Sequence, residues 1–318
     1  MFGLASPKKL RELGIVGMNK RNVKYIAQNN PRHLYPLVDD KLKTKELCRQ
    51  HNLAMPKLLG VCKVQSNVNE LEGFLADIPQ FVIKPAKGSG GKGILVITGR
   101  DGEDFLKPSG AKVTLSEVKR HVSNTLSGLY SLGGKPDVAV IEDLVVFTDD
   151  FDGFSFEGVP DIRVIIYKGY PVMAMTRLST HASDGKANLH QGAVGVGIDI
   201  ATGHALNAVM NARPIEQHPD TGKALKELKV PLWQELLTLS VQGFDTTGLG
   251  YMGADIVLDK NLGPLLLELN ARPGLAIQVA NGRGLEPRLA LAEEQSRLHP
   301  DRSAEERVRY SMEVIAPL

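Results

Sequence analysis

The sequence predicts an α+β fold, and three observations carry that prediction. Aliphatic and β-branched segments come in adjacent pairs around short turns built on Gly, Asn or Asp, which is the pattern of antiparallel hairpins. Capping boxes at Thr114-Leu115-Ser116-Glu117 and Ser303-Ala304-Glu305-Glu306 open helices. Hairpins and helices are mixed without the regular strand–helix–strand beat of a doubly wound parallel sheet.

Taken in chain order, Ser6-Pro7 caps a short helix through Leu13, and residues 14–38 carry little pattern. Asp39-Asp40 starts a helix holding Leu42, Leu47 and Cys48, with Pro56 beyond its end. Residues 80–85 and 93–98 read as strands on either side of a glycine loop. Leu115, Val118, Val122, Leu126 and Leu129 recur at helical spacing behind the first capping box. Residues 137–146 read as a buried strand. Residues 149–160 are acidic, aromatic and glycine-rich, a linker or loop. Residues 161–167 and 171–178 make a hairpin around Lys168-Gly169. Residues 179–193 are polar and aperiodic, the composition of an active-site loop. Residues 194–200 and 205–210 make another hairpin around 201–203. Pro231 begins a helix to about Gln242, and the second capping box opens the last helix.

The 318 residues suffice for one large domain or two ordinary ones. Hydrophobic content of 42% and charged content of 23% are those of a globular protein, not a disordered one. A net charge of +2, with dispersed Lys and Arg and few aromatics, argues against a nucleic-acid binder. Cys48 and Cys62 make no CxxC or Cys/His metal spacing. They read as reduced thiols, although two cysteines can also pair. The N-terminus lacks a basic stretch followed by an apolar one, and no apolar run approaches the roughly 18 residues of a membrane span. A cytoplasmic protein without membrane insertion is the expectation.

The segment from Met252 to Asn270 carries the strongest chemical signal. Two apolar arms flank Asp259-Lys260-Asn261-Leu262-Gly263, which is turn chemistry. Folded symmetrically about Asn261 and Leu262, the arms bring Asp255 opposite Glu268, and directly opposed residues sit roughly 4.5–5.5 Å apart at Cβ. Asn270, two residues on, shares that face. Two facing carboxylates repel, so positive charge belongs between them. Oxygen-only ligands suit a hard cation that keeps waters and phosphates, as Mg²⁺ does. The alternative is an ordinary hairpin with a wet acidic face.

Phe81 to Val96 carries the second signal. Gly88, Gly90 and Gly93 match G-x-G-x-x-G literally, but a dinucleotide site needs a helix after the loop, and here Ile94-Leu95-Val96-Ile97-Thr98 is strand-like. A P-loop needs Ser or Thr where Gly93 follows Lys92. A protein kinase is excluded because its lysine follows the loop and this chain has no HRD or DFG triplet. What remains is a strand–glycine loop–strand flap over nucleotide phosphates, with Lys84 ahead of the loop and placed to reach them. A flexible hairpin with a solvated lysine is the bland alternative.

With both motifs in place, the chain resembles the ATP-grasp superfamily over roughly residues 39–275, most nearly the RimK-like α-L-glutamate ligases and ATP-grasp proteins of sugar-transfer type. The resemblance implies two α+β subdomains clasping the nucleotide. Residues 39–146 form the lid subdomain and 147–318 the large subdomain, behind a short N-terminal segment, 1–38. Asp40-Lys41, with Thr44-Lys45 just after, resembles the segment with the first ATP-phosphate lysine, Val82-Ile83-Lys84-Pro85 the second-lysine strand, and Lys87, Gly88, Gly90, Gly91 and Gly93 the phosphate loop. Glu142, Asp143 and Leu144 resemble the strand whose backbone reads adenine, with Asp149 or Asp150 for the ribose. Asp161-Ile162-Arg163 resembles the DIR strand, Arg177 the arginine ending the next strand, and Asn188-Leu189-His190-Gln191-Gly192 the substrate-proximal loop. Asp255, Glu268 and Asn270 match the metal triad, for Mg²⁺ with Mn²⁺ as the alternative ion.

The implied reaction joins a carboxylate to an amine through an acylphosphate, at the expense of ATP. Arg163 and Arg177 would neutralise the acylphosphate or clamp a carboxylate, which the planar guanidinium suits. A solvated charge on a hairpin strand is the plainer role for either. Asn188 and His190 either contact the substrate or merely line the loop. Expected partners are ATP and an amino acid or peptide, glutamate being one candidate, and an oligomer is compatible. Two other readings are a ligase acting on a sugar- or envelope-linked acceptor and a non-catalytic nucleotide-binding regulator.

Overall fold

A computed structural model of the chain describes residues 6–88, 90–156 and 158–318. It divides into two compact units. The smaller comprises Asp39–Arg49 and Met55–Val146, and the larger takes in the chain up to Val38, Gln50–Ala54 and Phe147–Leu318. The N-terminal stretch is therefore part of the larger unit rather than a segment of its own.

The strands of the smaller unit are β1 (Leu58–Cys62), β2 (Phe81–Pro85), β3 (Leu95–Ile97), β4 (Gly99–Asp101), β5 (Asp104–Leu106), β6 (Lys112–Val113) and β7 (Ala139–Glu142). One antiparallel sheet runs β1-β7-β2-β3, and β4-β5-β6 form a second, small one. Phe81, Ile83, Ile97 and Ile141 pack against Val118 and Val122 of the helix Leu115–Leu126. Its capping box forms as the sequence predicts: Thr114 Oγ1 accepts from Glu117 N at 3.2 Å, and Glu117 Oε2 accepts from Thr114 N at 2.9 Å. The helix stops before Leu129, which is 65% exposed. Gly128 turns the chain at φ +86°, where the Lys135 carbonyl oxygen would lie 2.3 Å from any Cβ. The predicted strand at 137–146 shortens to β7, all of whose residues are buried.

The larger unit holds β8 (Asp161–Tyr167), β9 (Tyr170–Leu178), β10 (Val194–Ile198), β11 (Ala205–Met210), β12 (Arg213–Ile215), β13 (Tyr251–Asp259) and β14 (Gly263–Asn270). They form one antiparallel sheet in the order β12-β11-β10-β9-β8-β13-β14. One face is covered by the helix Trp233–Thr247, whose Gly243 lies close to Leu269 and Met252. That helix begins two residues later than Pro231 suggests, because Leu232 is left-handed at φ 49°. On the other face Ile165, Tyr167, Met173, Met175 and Tyr251 pack with Tyr25, Ile277, Leu285 and Leu289. The helices Ala276–Asn281 and Glu286–Leu298 supply part of that cover. Beyond this apolar patch the same sheet face turns polar, and there the candidate site lies. Cys48 and Cys62 are both free and buried, and burial pushes the Cys48 thiol up to about 11.

Candidate active site

In the larger unit the register builds the site. Arg163, Asp255 and Glu268 are direct partners across β8, β13 and β14. In the next row toward the loop, Asp161 pairs with Arg177, and Arg177 with Gly195. Side chains alternate along a strand, so all these residues share one face, with Asn270 two places beyond Glu268. Arg163 grips Asp255 with two bonds, Nε to Oδ1 at 2.7 Å and Nη2 to Oδ2 at 2.6 Å. Arg177 Nε donates to Asp161 Oδ1 at 2.6 Å, and its Nη2 bonds Asp161 Oδ2 and, at 2.9 Å, Asp255 Oδ2. Asn270 Nδ2 donates to Asp255 Oδ2 at 3.2 Å.

Two buried carboxylates and two guanidiniums thus form a network of zero net charge. Burial alone would raise the Asp255 carboxyl, but Arg163 and Arg177 outweigh it and hold the group at about 2. Asp161 goes the other way. Burial raises it, the attraction of Arg177 falls short, and the Asp255 charge adds to the rise. Asp255 is the stronger acid because it takes both arginines. The positive charge that the facing carboxylates require is therefore supplied, at Asp255, by protein. Glu268 and Asn270 are half-buried. Among the described residues no group of three or more His, Cys, Asp and Glu gathers as a metal site. The donor set present is two carboxylates and an amide, all oxygen donors at neighbouring register positions, which fits a small hard cation.

The loop at 179–193 approaches the same face, since Leu189 Cδ2 would lie 2.9 Å from a Cβ on Gly195, the strand partner of Arg177. Asn188 uses its side chain internally, its Oδ1 accepting from His190 N at 3.0 Å, and His190 is exposed. Thr180 Oγ1 donates to Gly192 O at 2.9 Å and closes the loop on itself. Asp149 lies at the hairpin tip, where Lys260 Nζ donates to it at 2.6 Å in an exposed pair.

The smaller unit carries the lysines. Glu142 is buried and accepts from two of them, Lys84 at 2.7 Å and Lys45 at 3.3 Å. Burial pushes the Glu142 carboxyl up, but Lys84 and Lys45 together hold it below its ordinary value. Lys45 is itself lowered, first by burial, and its Nζ also bonds the Pro56 carbonyl. Lys41 Nζ donates to Gly88 O at 2.9 Å, tying the helix to the glycine loop. Gly90, Gly91 and Gly93 all take positive φ, and a Cβ on Gly93 would sit 2.4 Å from the Tyr130 ring. The backbone N–H of Asp143 is spent on Lys57 O at 2.9 Å. Leu144 is half-buried and Lys87 exposed.

The sequence places Lys45 in the segment of Lys41, four residues on and hence on the same helical face, without a role of its own. Nothing in the sequence marks Asp137. It is buried and anchors the loop base, accepting from Lys87 N at 2.9 Å and Ser131 Oγ at 2.5 Å.

The model of one protein family, described as sugar-transfer associated ATP-grasp, matches residues 20–294. No curated protein sequence matches the chain. Among solved structures, the ATP-grasp ligase PsnB complexed with minimal precursor is 14% identical, with a TM-score of 0.45, over 84% of this chain and 63% of its own. The D-cycloserine synthetase DcsG is 13% identical with a TM-score of 0.44, over 83% of this chain and 72% of its own. D-alanine–D-alanine ligase from Bacillus anthracis is 14% identical with a TM-score of 0.45, over 83% of this chain and 69% of its own. The chain spans less than two thirds of the PsnB chain. With the family model running from the N-terminal helices through both arms of the Asp255–Glu268 hairpin, the chain belongs to the sugar-transfer associated ATP-grasp family.

Proposed function

We propose that the protein is an ATP-dependent carboxylate–amine ligase. The observation that carries this reading is the row Arg163–Asp255–Glu268, with Asn270 bonded to Asp255, in a chain of this family. In the reaction a carboxylate oxygen attacks the γ-phosphorus of ATP and ADP leaves. An amine then attacks the acyl carbon, phosphate departs with the C–O bond electrons, and the amine loses a proton. Phosphoryl transfer of this kind depends on positioning and charge neutralisation. Asp255, Glu268 and Asn270 would hold Mg²⁺, which supplies charge neutralisation at phosphate oxygens when bound. Lys41, Lys84 and the glycine loop hold the phosphates, while Glu142, Asp143 and Leu144 take the adenine side and Asp149 the ribose. Arg163 and Arg177 orient Asp255 and offer their remaining N–H groups to the acylphosphate or the substrate carboxylate. Asn188 shapes the substrate loop and His190 faces the acceptor.

The acceptor is the finer question. The RimK-like resemblance suggests an amino acid such as glutamate, and the family description favours an acceptor tied to sugar transfer. ADP release measured across amino acids, short peptides and amino sugars, with mass spectrometry of the products, separates these. An amide product 18 mass units below the sum of its substrates establishes the ligase. ATP binding without ADP release under any acceptor overturns it in favour of a regulator.

A further inference from the structure

Residues 6–19 precede the stretch that the family accounts for. The helix Pro7–Glu12 has six residues and buries none of them. Isolated helices of fewer than roughly 12 residues are marginal in water even with good caps. This one has a cap, Ser6 Oγ accepting from Lys9 N at 3.1 Å, but no apolar face against the protein. Its aliphatic side chains point outward instead: Leu10 is 38% exposed and Leu13 52%, and farther on Met18 and Val23 are each 66% exposed. Exposed Lys8, Lys9, Arg11 and Lys24 are interleaved with them, while Lys20 is paired with Glu286.

Charge sharpens the picture. Up to Arg32 the chain has seven basic residues against one acidic residue, Glu12, a net of +6 where the whole chain has +2. The remainder is therefore net acidic, and the positive charge is concentrated at one end. The segment is also anchored. Gly14 O accepts from Glu286 N at 3.0 Å, and Val16 exchanges two bonds with the Gln278 side chain at 2.8 and 3.0 Å. The chain is thus pinned on both sides of Ile15, and the basic, aliphatic helix projects from a fixed base.

We propose that residues 6–24 form a docking surface for an anionic lipid bilayer. Lysine and arginine meet lipid phosphates, and Leu10, Leu13, Met18 and Val23 enter the headgroup region. No described helix is long and apolar enough to cross a membrane, so the contact is peripheral. Nucleic acid is the poorer occupant, because the exposed apolar groups of this stretch are aliphatic and offer no ring on which a base could stack. The proposal is independent of the ligase reading.

The test is co-sedimentation of the full chain with vesicles of phosphatidylcholine alone and with about 30% phosphatidylglycerol, the anionic fraction that a surface potential requires. Binding is expected only with phosphatidylglycerol, falling about tenfold or more between ~0.1 and ~0.5 M salt. Leu10→Glu with Leu13→Glu abolishes it, as does Lys8→Glu with Lys9→Glu and Arg11→Glu. All five side chains are exposed, so circular dichroism and ATP binding stay unchanged in both variants. No sedimentation, equal binding to neutral vesicles, or binding that survives both variants overturns the proposal. So does self-association lost in the leucine variant, which makes a second copy the occupant. Tighter binding to short duplex DNA than to the anionic vesicles overturns it as well.

Discussion

Asp255 faces Glu268 because β14 carries one residue more than a regular ladder would allow. From Asp259–Gly263 to Ile256–Leu266 the partners step regularly, and then Asp255 pairs with Glu268, leaving Leu267 as a bulge. Without that bulge Leu267 would oppose Asp255, and Glu268 and Asn270 would turn to the face covered by the helix Trp233–Thr247. Bulges that re-aim side chains are common beside active sites.

The first prediction concerns Glu268. Its carboxylate lies at the half-buried end of a row whose inner member, Asp255, is already neutralised by two arginines. Glu268→Ala therefore removes the less deeply buried of the two facing carboxylates. Calorimetric ATP affinity in Mg²⁺ is expected to fall about tenfold or more, roughly 1.4 kcal/mol, while affinity in EDTA stays as in the parent. An unchanged affinity in Mg²⁺ removes the metal role.

A second prediction concerns stability and pH. Asp255→Asn leaves Arg163 without its carboxylate and Arg177 with Asp161 alone. Breaking a buried pair in this way costs about 3–5 kcal/mol, readable as a lower urea midpoint at pH 7. In the parent, Asp255 sits at about 2 when folded, against roughly 3.9 unfolded. Its contribution is therefore complete above about pH 4 and is lost as pH falls toward 2, on the order of 2 kcal/mol. Asp161, raised on folding, works with the opposite sign, and its gain on acidification is complete by about pH 4, before the Asp255 loss begins. The parent thus loses its advantage over Asp255→Asn between pH 4 and 2, and a constant gap across that window contradicts the assignment.

Much of this arrangement is legible in the sequence. The Asp255–Glu268 pairing came from folding the hairpin about Asn261 and Leu262, although the true loop is the three residues Lys260–Leu262. The bulge cancels that one-residue error, and nothing in Leu265-Leu266-Leu267 signals which leucine is extra. The DIR strand and Arg177 were legible as residues, but their coupling through Asp255 was not, since it depends on strands far apart in sequence lying adjacent. The helix Gln65–Leu75 was missed because Val68, Leu71 and Leu75 are its only buried residues amid a largely polar stretch. The helices at 18–29 carry no clear pattern, because the six residues Arg21–Ile26 wind wider than α, which blurs the period of 3.6. Glu142 was assigned through its backbone, yet its side chain is the hub of a lysine cluster, a fact that only β2 and β7 pairing reveals.

That hub yields the last prediction, because its two lysines are chemically unequal. Lys45 is the more deeply buried, with 5% of its side chain exposed against 15% for Lys84, and burial lowers its affinity for a proton. Lys45→Met exchanges a desolvated ammonium for an apolar chain of similar length and leaves Glu142 still paired with Lys84. Its stability is expected within about 1 kcal/mol of the parent. Lys84→Ala retains the fold through the Lys45–Glu142 pair but loses the ammonium nearest to solvent, and ADP release falls by at least about a hundredfold, the scale of a charge clamp on a transferring phosphoryl group. Glu142→Gln strands both ammonium groups and unfolds the smaller unit at a cost of about 3 kcal/mol or more. Urea titration and ADP release on all three variants read the contrast. Equal losses of turnover in the two lysine variants, with both folded, would place Lys45 beside Lys84 on the phosphates. Parent turnover in Lys84→Ala would strip that lysine of its role.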